Sequence, residues 1–238
     1  MDNDNKLIYI ADDEIKIQEL IKMFLLKEGY QVITFSDGES LLATFKDTPA
    51  DMLILDIMMP NLDGLSLCSE IRKYSNIPII IVSAKDSESD KIAGFLLGGD
   101  DYLTKPFSPL ELVLRVKSIF KRIALEDVPT KNAELNLISI GDIEINTNGR
   151  YVECCGKDLK LTPMEFNLFV YLAKNKNKGI SREELLRKIW GFDTEVDTRA
   201  TDDMIKRIRK KLINVTSKVK IETLWGFGFM ISTKELKE

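Results

Sequence analysis

Met52-Leu53-Ile54-Leu55-Asp56, continued by Ile57-Met58-Met59-Pro60, is an unbroken apolar run that stops on an acid. A strand with one wet face alternates apolar and polar residues. A run without that alternation is buried on both faces, the habit of a parallel sheet covered by helices. Leu7–Ala11, Gln31–Phe35, Pro78–Val82 and Asp101–Thr104 have the same character. Between the first two, Ile17, Leu20, Ile21, Phe24 and Leu25 recur at helical spacing and stop at Gly29, a good C-terminal signal. The last helix of this half opens with Ser108-Pro109-Leu110-Glu111, a capping box with proline at the first helical position. Five such β–α units predict a doubly wound α/β domain over residues 1–122, with a five-stranded parallel sheet in the flavodoxin-like order 2-1-3-4-5.

Residues 123–136 are polar, lack a clear period and contain Pro129, which predicts a linker. A second domain of α+β type is expected over 137–238. Residues 137–145, 151–155 and 157–161 read as a small antiparallel sheet turning at Asn148-Gly149. Three helices follow near 163–175, 182–190 and 199–213, the second capped by Ser181 with Glu184 three residues on. A hairpin of residues 220–224 and 229–232 closes the chain around Trp225-Gly226-Phe227-Gly228. This hairpin reads as a wing following the three helices.

Charge separates the halves. Residues 1–122 carry 14 Lys and Arg against 20 Asp and Glu, a net of −6, and residues 123–238 carry 20 against 18, a net of +2. With −4 overall, any nucleic-acid site has to be a local patch. There is no histidine, which excludes histidine triads, most zinc sites and a phosphohistidine of its own. Cys68, Cys154 and Cys155 offer neither a disulfide framework nor zinc spacing and are read as reduced thiols. No apolar run approaches membrane-span length, and Met-Asp-Asn-Asp-Asn is no secretory leader, so a cytoplasmic protein with no membrane partner is expected.

In an open parallel sheet, chemistry collects at the carboxyl ends of the strands. Strand one runs into Asp12-Asp13, strand three ends on Asp56, strand four reaches Ser83 and strand five delivers Lys105. Three clustered carboxylates repel unless a cation sits among them, and an all-oxygen set suits Mg²⁺. A carboxylate can attack phosphorus, with a lysine and a metal offsetting charge on the transferring oxygens. Each residue alone is more often a helix cap or a solvated loop residue; the joint placement is what points to phosphoryl chemistry. An aspartate-nucleophile phosphatase would use the same chemistry, but such enzymes generally carry a second acid two residues beyond the nucleophile, where this chain has Met58.

Asp12-Asp13-Glu14, Asp56 with Met58-Met59-Pro60 and Asp63-Gly64, Ser83-Ala84-Lys85, and Asp100 through Phe107 resemble the receivers of bacterial response regulators. The second half, in Leu161 through Phe166, Ser181 through Leu186, Ile189-Trp190-Gly191 and the terminal hairpin, resembles the winged-helix output domain of the OmpR/PhoB branch. The resemblance implies a regulator that takes a phosphoryl group on Asp56 from a sensor histidine kinase, and that is not otherwise an enzyme. It implies Mg²⁺ held by Asp12, Asp13, Asp56 and the Met58 carbonyl, a cis Lys105-Pro106 bond, and Ser83 and Tyr102 as a switch pair beside Lys105. Read without the resemblance, Tyr102 is an ordinary half-buried strand residue. A homodimer is implied through a face carrying Lys91, Asp101, Glu111 and Arg115, with promoter DNA and RNA polymerase as further partners. The chain departs from the branch at Leu96, where an acid usually faces the position of Lys117.

The helix at 199–213 is the one the resemblance sends into the DNA major groove. Thr201, Ile205, Ile208 and Leu212 form its expected buried stripe. The opposite face is read as Arg199, Asp203, Lys206, Arg207 and Lys210, a set of DNA contacts in which Asp203 selects sequence. Trp225 replaces the arginine that the branch often carries before its wing turn. An indole has no charge, so it either packs under the wing or stacks on a sugar.

Overall fold

The computed structural model describes residues 6–84, 98–125, 137–190 and 199–233. The chain divides into two compact units, Met1–Lys117 and Ser118–Glu238. The division falls inside a helix, slightly ahead of the expected boundary at 122. Of the expected linker, residues 123–125 are the end of that helix and 126–136 lie outside the described residues.

The first unit carries β1 (Leu7–Ala11), β2 (Gln31–Phe35), β3 (Met52–Asp56), β4 (Ile79–Ser83) and β5 (Asp101–Thr104). They form one parallel sheet, as the apolar runs predict, in the expected flavodoxin-like order β2-β1-β3-β4-β5. β4 begins one residue later than read, although the Pro78 carbonyl still accepts from the Leu53 amide at 3.0 Å. Proline has no amide to give the ladder. The helices are α1 (Ile15–Lys27), α2 (Gly38–Asp47), α3 (Gly64–Ile71) and α4 (Pro109–Leu125). Every residue of β3 and β4 is buried.

One position on α1 differs from its helical reading. Leu20 is exposed, whereas Gln18 is buried. The Gln18 amide donates to the carbonyls of Asp12 at 2.5 Å and Phe35 at 3.1 Å. A polar side chain is tolerated inside because it satisfies two carbonyls at the ends of β1 and β2. It also braces the loop that carries Asp12.

The second unit opens with β6 (Leu137–Ile140), β7 (Ile143–Asn146), β8 (Tyr151–Cys154) and β9 (Lys157–Asp158) in one antiparallel sheet. The run read as a single strand over 137–145 is therefore a hairpin, broken at Gly141 with φ +60°. Helices α5 (Pro163–Lys174), α6 (Arg182–Trp190) and α7 (Arg199–Asn214) follow. Glu184 donates its amide to the Ser181 hydroxyl at 3.1 Å, the expected cap. A short strand absent from the sequence reading, β10 (Ile180–Ser181), joins the wing strands β11 (Val219–Leu224) and β12 (Gly228–Thr233) in the order β10-β12-β11. Two residues are too few for periodicity to detect.

The three cysteines are free. Burial and the neighbouring Asp142 push the Cys154 thiol up to about 11, so it is an inert packing group. No helix among the described residues is long and apolar enough to cross a membrane.

Candidate functional sites

The parallel register aligns the ends of β1, β3 and β4: Ala11 lies opposite Leu55, and Asp56 opposite Val82. Chain leaving these strands enters one edge. Asp12 and Asp56 are buried there, and oxygens of Asp12, Asp13 and Asp56 lie within 4.8 Å of one another. Lys105 reaches in from β5 behind the cis Lys105-Pro106 bond. Its ammonium contacts Asp12 Oδ2 at 2.8 Å, Asp56 Oδ2 at 2.9 Å and Glu14 Oε1 at 3.3 Å. Ser83 is fully buried, and Tyr102, at 8% exposure, is buried more deeply than its half-buried reading. Met58 donates its amide to Asp56 Oδ1 at 3.3 Å while its side chain is exposed.

Local geometry explains the Asp63-Gly64 pair. The Asp63 carboxylate caps α3 by accepting from the amides of Leu65 and Ser66 at 2.9 and 2.8 Å. A Cβ on Gly64 would stand 2.0 Å from the Asp56 carbonyl oxygen. Only glycine lets α3 start this close to the end of β3.

Electrostatics mark the same edge. Burial pushes the Asp12 carboxyl above the ordinary carboxylate value, against the opposing pull of Lys105. Burial disfavours the Lys105 ammonium, yet its bonds to Asp12 and Asp56 outweigh that and hold it above the ordinary lysine range. Lys105 is thus a fixed cation in an oxygen cradle, where an anion can be received. The all-oxygen set fits a hard divalent ion. Glu14, the third carboxylate on Lys105, joins this edge through a contact that its place in the sequence does not signal.

Of the expected dimer face, Lys91 and Leu96 lie outside the described residues. Asp101, Glu111 and Arg115 are together: the Arg115 guanidinium holds both oxygens of Asp101 at 2.9 Å and Glu111 Oε1 at 2.7 Å within one chain. Lys117 pairs with Glu28. Glu111 thus serves Arg115, beyond the capping role its spacing suggested.

On α7 the expected stripe is buried: Thr201, Ile205 and Ile208 fully, Leu212 to 3% exposure. The opposite face requires correction. Asp203 and Arg207 are buried, at 1% and 9% exposure, and do not point outward. Helix α7 is covered on a wider arc than one stripe because α5 and α6 pack beside that stripe and β11 packs along the helix. Arg207 Nε lies 3.1 Å from Glu165 Oε1 of α5, and Asp203 Oδ1 accepts from Lys206 at 2.8 Å. Lys206 and Lys210 are exposed as read. Arg199 begins the helix, and its side chain is outside the described set. Trp225 is 93% exposed, which excludes packing under the wing.

The structure adds a knot that the sequence did not reveal. Arg182 of α6 grips Asp202 of α7 through Nε and Nη2 at 2.8 and 2.9 Å, and its guanidinium lies 4.8 Å from the Phe229 ring. Arg209 donates to the Ile221 carbonyl and the Thr223 hydroxyl, both at 2.8 Å. Together these tie α7 to the wing, so helix and hairpin are presented as one rigid pair.

A parallel sheet with a lysine-bridged acidic edge, followed by a three-helix unit with a wing, defines a two-part transcription regulator switched by phosphorylation. Residues 8–117 match the response regulator receiver domain, and residues 156–231 match the C-terminal domain of transcriptional regulatory proteins. The chain is 40% identical over 239 residues to the alkaline phosphatase synthesis transcriptional regulatory protein PhoP of Bacillus subtilis, covering 98% of this chain and all of that one. It is 35% identical to the transcriptional regulatory protein SrrA of Staphylococcus aureus, over 97% of both chains. The solved structure of DrrB, an OmpR/PhoB homologue from Thermotoga maritima, superposes with a TM-score of 0.50 at 31% identity, covering 95% and 99% of the two chains. The chain belongs to the OmpR/PhoB family of response regulators.

Proposed function

We propose that Asp56 is the residue that accepts the phosphoryl group, supplied by the phosphohistidine of a sensor kinase. The observation that carries this reading is the Lys105 ammonium bridging Asp12 and Asp56 at the strand ends. An Asp56 oxygen attacks phosphorus, the phosphorus–nitrogen bond of the donor breaks, and its electron pair leaves with the imidazole. Lys105 exchanges part of its contact with the Asp56 carboxylate for the incoming phosphoryl oxygens. Asp12, Asp13, Asp56 and the Met58 carbonyl would hold Mg²⁺, which when bound neutralises the cluster and draws charge from the transferring oxygens. Ser83 then bonds a phosphoryl oxygen, and the buried Tyr102 ring reports that state to the face of β5 and α4. Apart from forming and hydrolysing its own acyl phosphate, the chain is not an enzyme. We take it to work in the cytoplasm, as a receiver over 1–122 linked through 123–136 to an output domain over 137–238.

Metal removal tests the site. With acetyl phosphate and Mg²⁺, intact-mass spectrometry should register one phosphoryl gain; with excess chelator it should register none, since three carboxylates then repel the anion. An equal gain in chelator would sink the metal role.

The phosphorylated chain dimerises, in this reading, through a face with Lys91, Asp101, Glu111 and Arg115. Arg115 already has its carboxylates within one chain, so dimerisation would share or exchange them across the twofold axis. Beryllofluoride, standing in for the phosphoryl group, should shift the parent to dimer in sedimentation and leave Arg115→Ala largely monomeric. Equal dimerisation of the variant would mean another face is used. The dimer then meets promoter DNA, and RNA polymerase with it, through Arg199, Lys206 and Lys210 of α7 and through the wing.

A further inference from the structure

The wing hairpin turns at Trp225-Gly226, with Leu224 O accepting from the Phe227 amide at 3.0 Å and Gly226 at φ +70°. Its apolar anchoring is carried by other residues. A Cβ on Gly179 would meet Leu224 Cδ1 at 2.6 Å and Phe227 Cε1 at 3.2 Å, so those two side chains lie over the Gly179 backbone. Phe229 is buried beneath the Arg182 guanidinium. The Phe227 carbonyl accepts from the Arg182 amide at 3.2 Å, and β12 passes so close to β10 that a Cβ on Gly228 would stand 1.9 Å from the Ile180 carbonyl oxygen. The hairpin is therefore fastened without Trp225, whose side chain is 93% exposed at the apex. A large rigid apolar plane is held out on a stiff support that does not use it.

Resting on the reading that this unit binds duplex DNA, we propose that Trp225 is an aromatic wedge: it enters the minor groove beside the α7 contact and stacks on a partly opened base step. Indole carries no positive charge and cannot hold a phosphate, but it has a π face for a base and one N–H donor for a minor-groove acceptor. Apolar side chains that enter the minor groove unstack a step and kink the duplex. Pyrimidine–purine steps open most easily. Trp225 thus reads the deformability of the step it opens, and sites with TA or CA/TG under the wing are favoured. The ties from Arg209 to Ile221 and Thr223 keep the tip in register with α7.

The test uses the full chain and a duplex it enriches from a random pool, with aminopurine replacing one adenine at a time. Trp190 is buried and Trp225 exposed, so the emission that iodide quenches belongs to Trp225. In the parent complex, aminopurine emission should rise at one step and iodide quenching should fall. Trp225→Ala should weaken binding by about 5- to 100-fold, the range of one lost base stack, with its salt slope unchanged. Trp225→Phe should recover most of that loss, and Trp225→Arg should steepen the slope by about 0.9. If Trp225→Ala binds as tightly as the parent, or no aminopurine brightens, the wedge is overturned while DNA binding stands. If the parent enriches no duplex at all, the DNA-binding reading itself fails. If the indole becomes shielded as protein concentration rises without DNA, its partner is a second copy of the chain and the wedge is overturned.

Discussion

Asp56→Asn is expected to lose its phosphoryl gain completely when mixed with acetyl phosphate and Mg²⁺, with the fold intact. The amide keeps the size of the carboxylate, and its oxygen still accepts from Lys105, which now holds Asp56 at 2.9 Å. It has no anionic oxygen to attack phosphorus. The neighbours do not take over. Asp12 has Oδ1 engaged by the Glu14 amide at 2.9 Å and Oδ2 by Lys105 at 2.8 Å. Asp13 is exposed, so it offers no desolvated cradle for the transferring oxygens. Removing the charge of Asp56 also relieves a repulsion that pushes the Asp12 carboxyl up, although burial remains the larger cause. Intact mass, with a thermal melt as the check on folding, decides the matter. A variant that still gains the group would move the phosphoacceptor elsewhere.

The second large effect lies far from phosphate. Glu165 is the buried hub of the output unit. Its side chain closes a capping box with Thr162, and it also contacts Arg207 at 3.1 Å and Lys211 at 2.5 Å. Arg207 is buried, and among the described residues its guanidinium nitrogens have no hydrogen-bond partner, with the Glu165 carboxylate facing its charge at ion-pair range. Glu165→Gln leaves that cation buried and uncompensated, and breaking such a pair from one side costs about 3–5 kcal/mol. Both tryptophans, Trp190 and Trp225, lie in this unit, so their emission follows its unfolding in the full chain. At a typical urea dependence of about 2 kcal/mol per molar, the midpoint should fall by roughly 2 M. Glu165→Leu combined with Arg207→Met should lose less, since no fully buried charge is then stranded and the partly exposed Lys211 keeps solvent and the Lys160 carbonyl as partners.

Acid should weaken the same hub. Burial pushes the Glu165 carboxyl up, but Arg207 and Lys211 outweigh it and hold the group below the ordinary carboxylate value. A carboxyl depressed in the fold contributes stability that is complete above its unfolded value, near 4.3, and is lost as pH falls through the lower folded value. Below about pH 4 the parent should therefore shed stability that Glu165→Gln never had, so the acid limb of the variant is flatter. Parallel acid limbs, or a midpoint unchanged at neutral pH, would show that Glu165 is not the hub.

The receiver was legible because its signals are local. Uninterrupted apolar runs such as Met52–Asp56 specify buried parallel strands, and parallel strands send their carboxyl ends to one edge. Asp12, Asp13, Asp56, Ser83 and Lys105 could therefore be gathered from positions scattered over the chain. The sequence by itself also determined the cap at Ser181, the helix limits of the second unit to within a residue or so, and the buried stripe of α7, since each depends on spacing within a few turns.

What it could not determine depends on partners distant in the chain. The sequence places Arg207 on the polar side of α7, but Glu165, from another helix, draws it into the interior. Burial is decided by how many elements pack on a helix, and periodicity registers only the strongest face. Nothing in the local spacing assigns a role to Arg182, Asp202 or Arg209; the fold places them around Phe229 and the wing strands. For Trp225, the sequence left two positions open. The choice fell to tertiary structure, because Leu224 and Phe227 already fill the space over Gly179 and leave the indole only solvent.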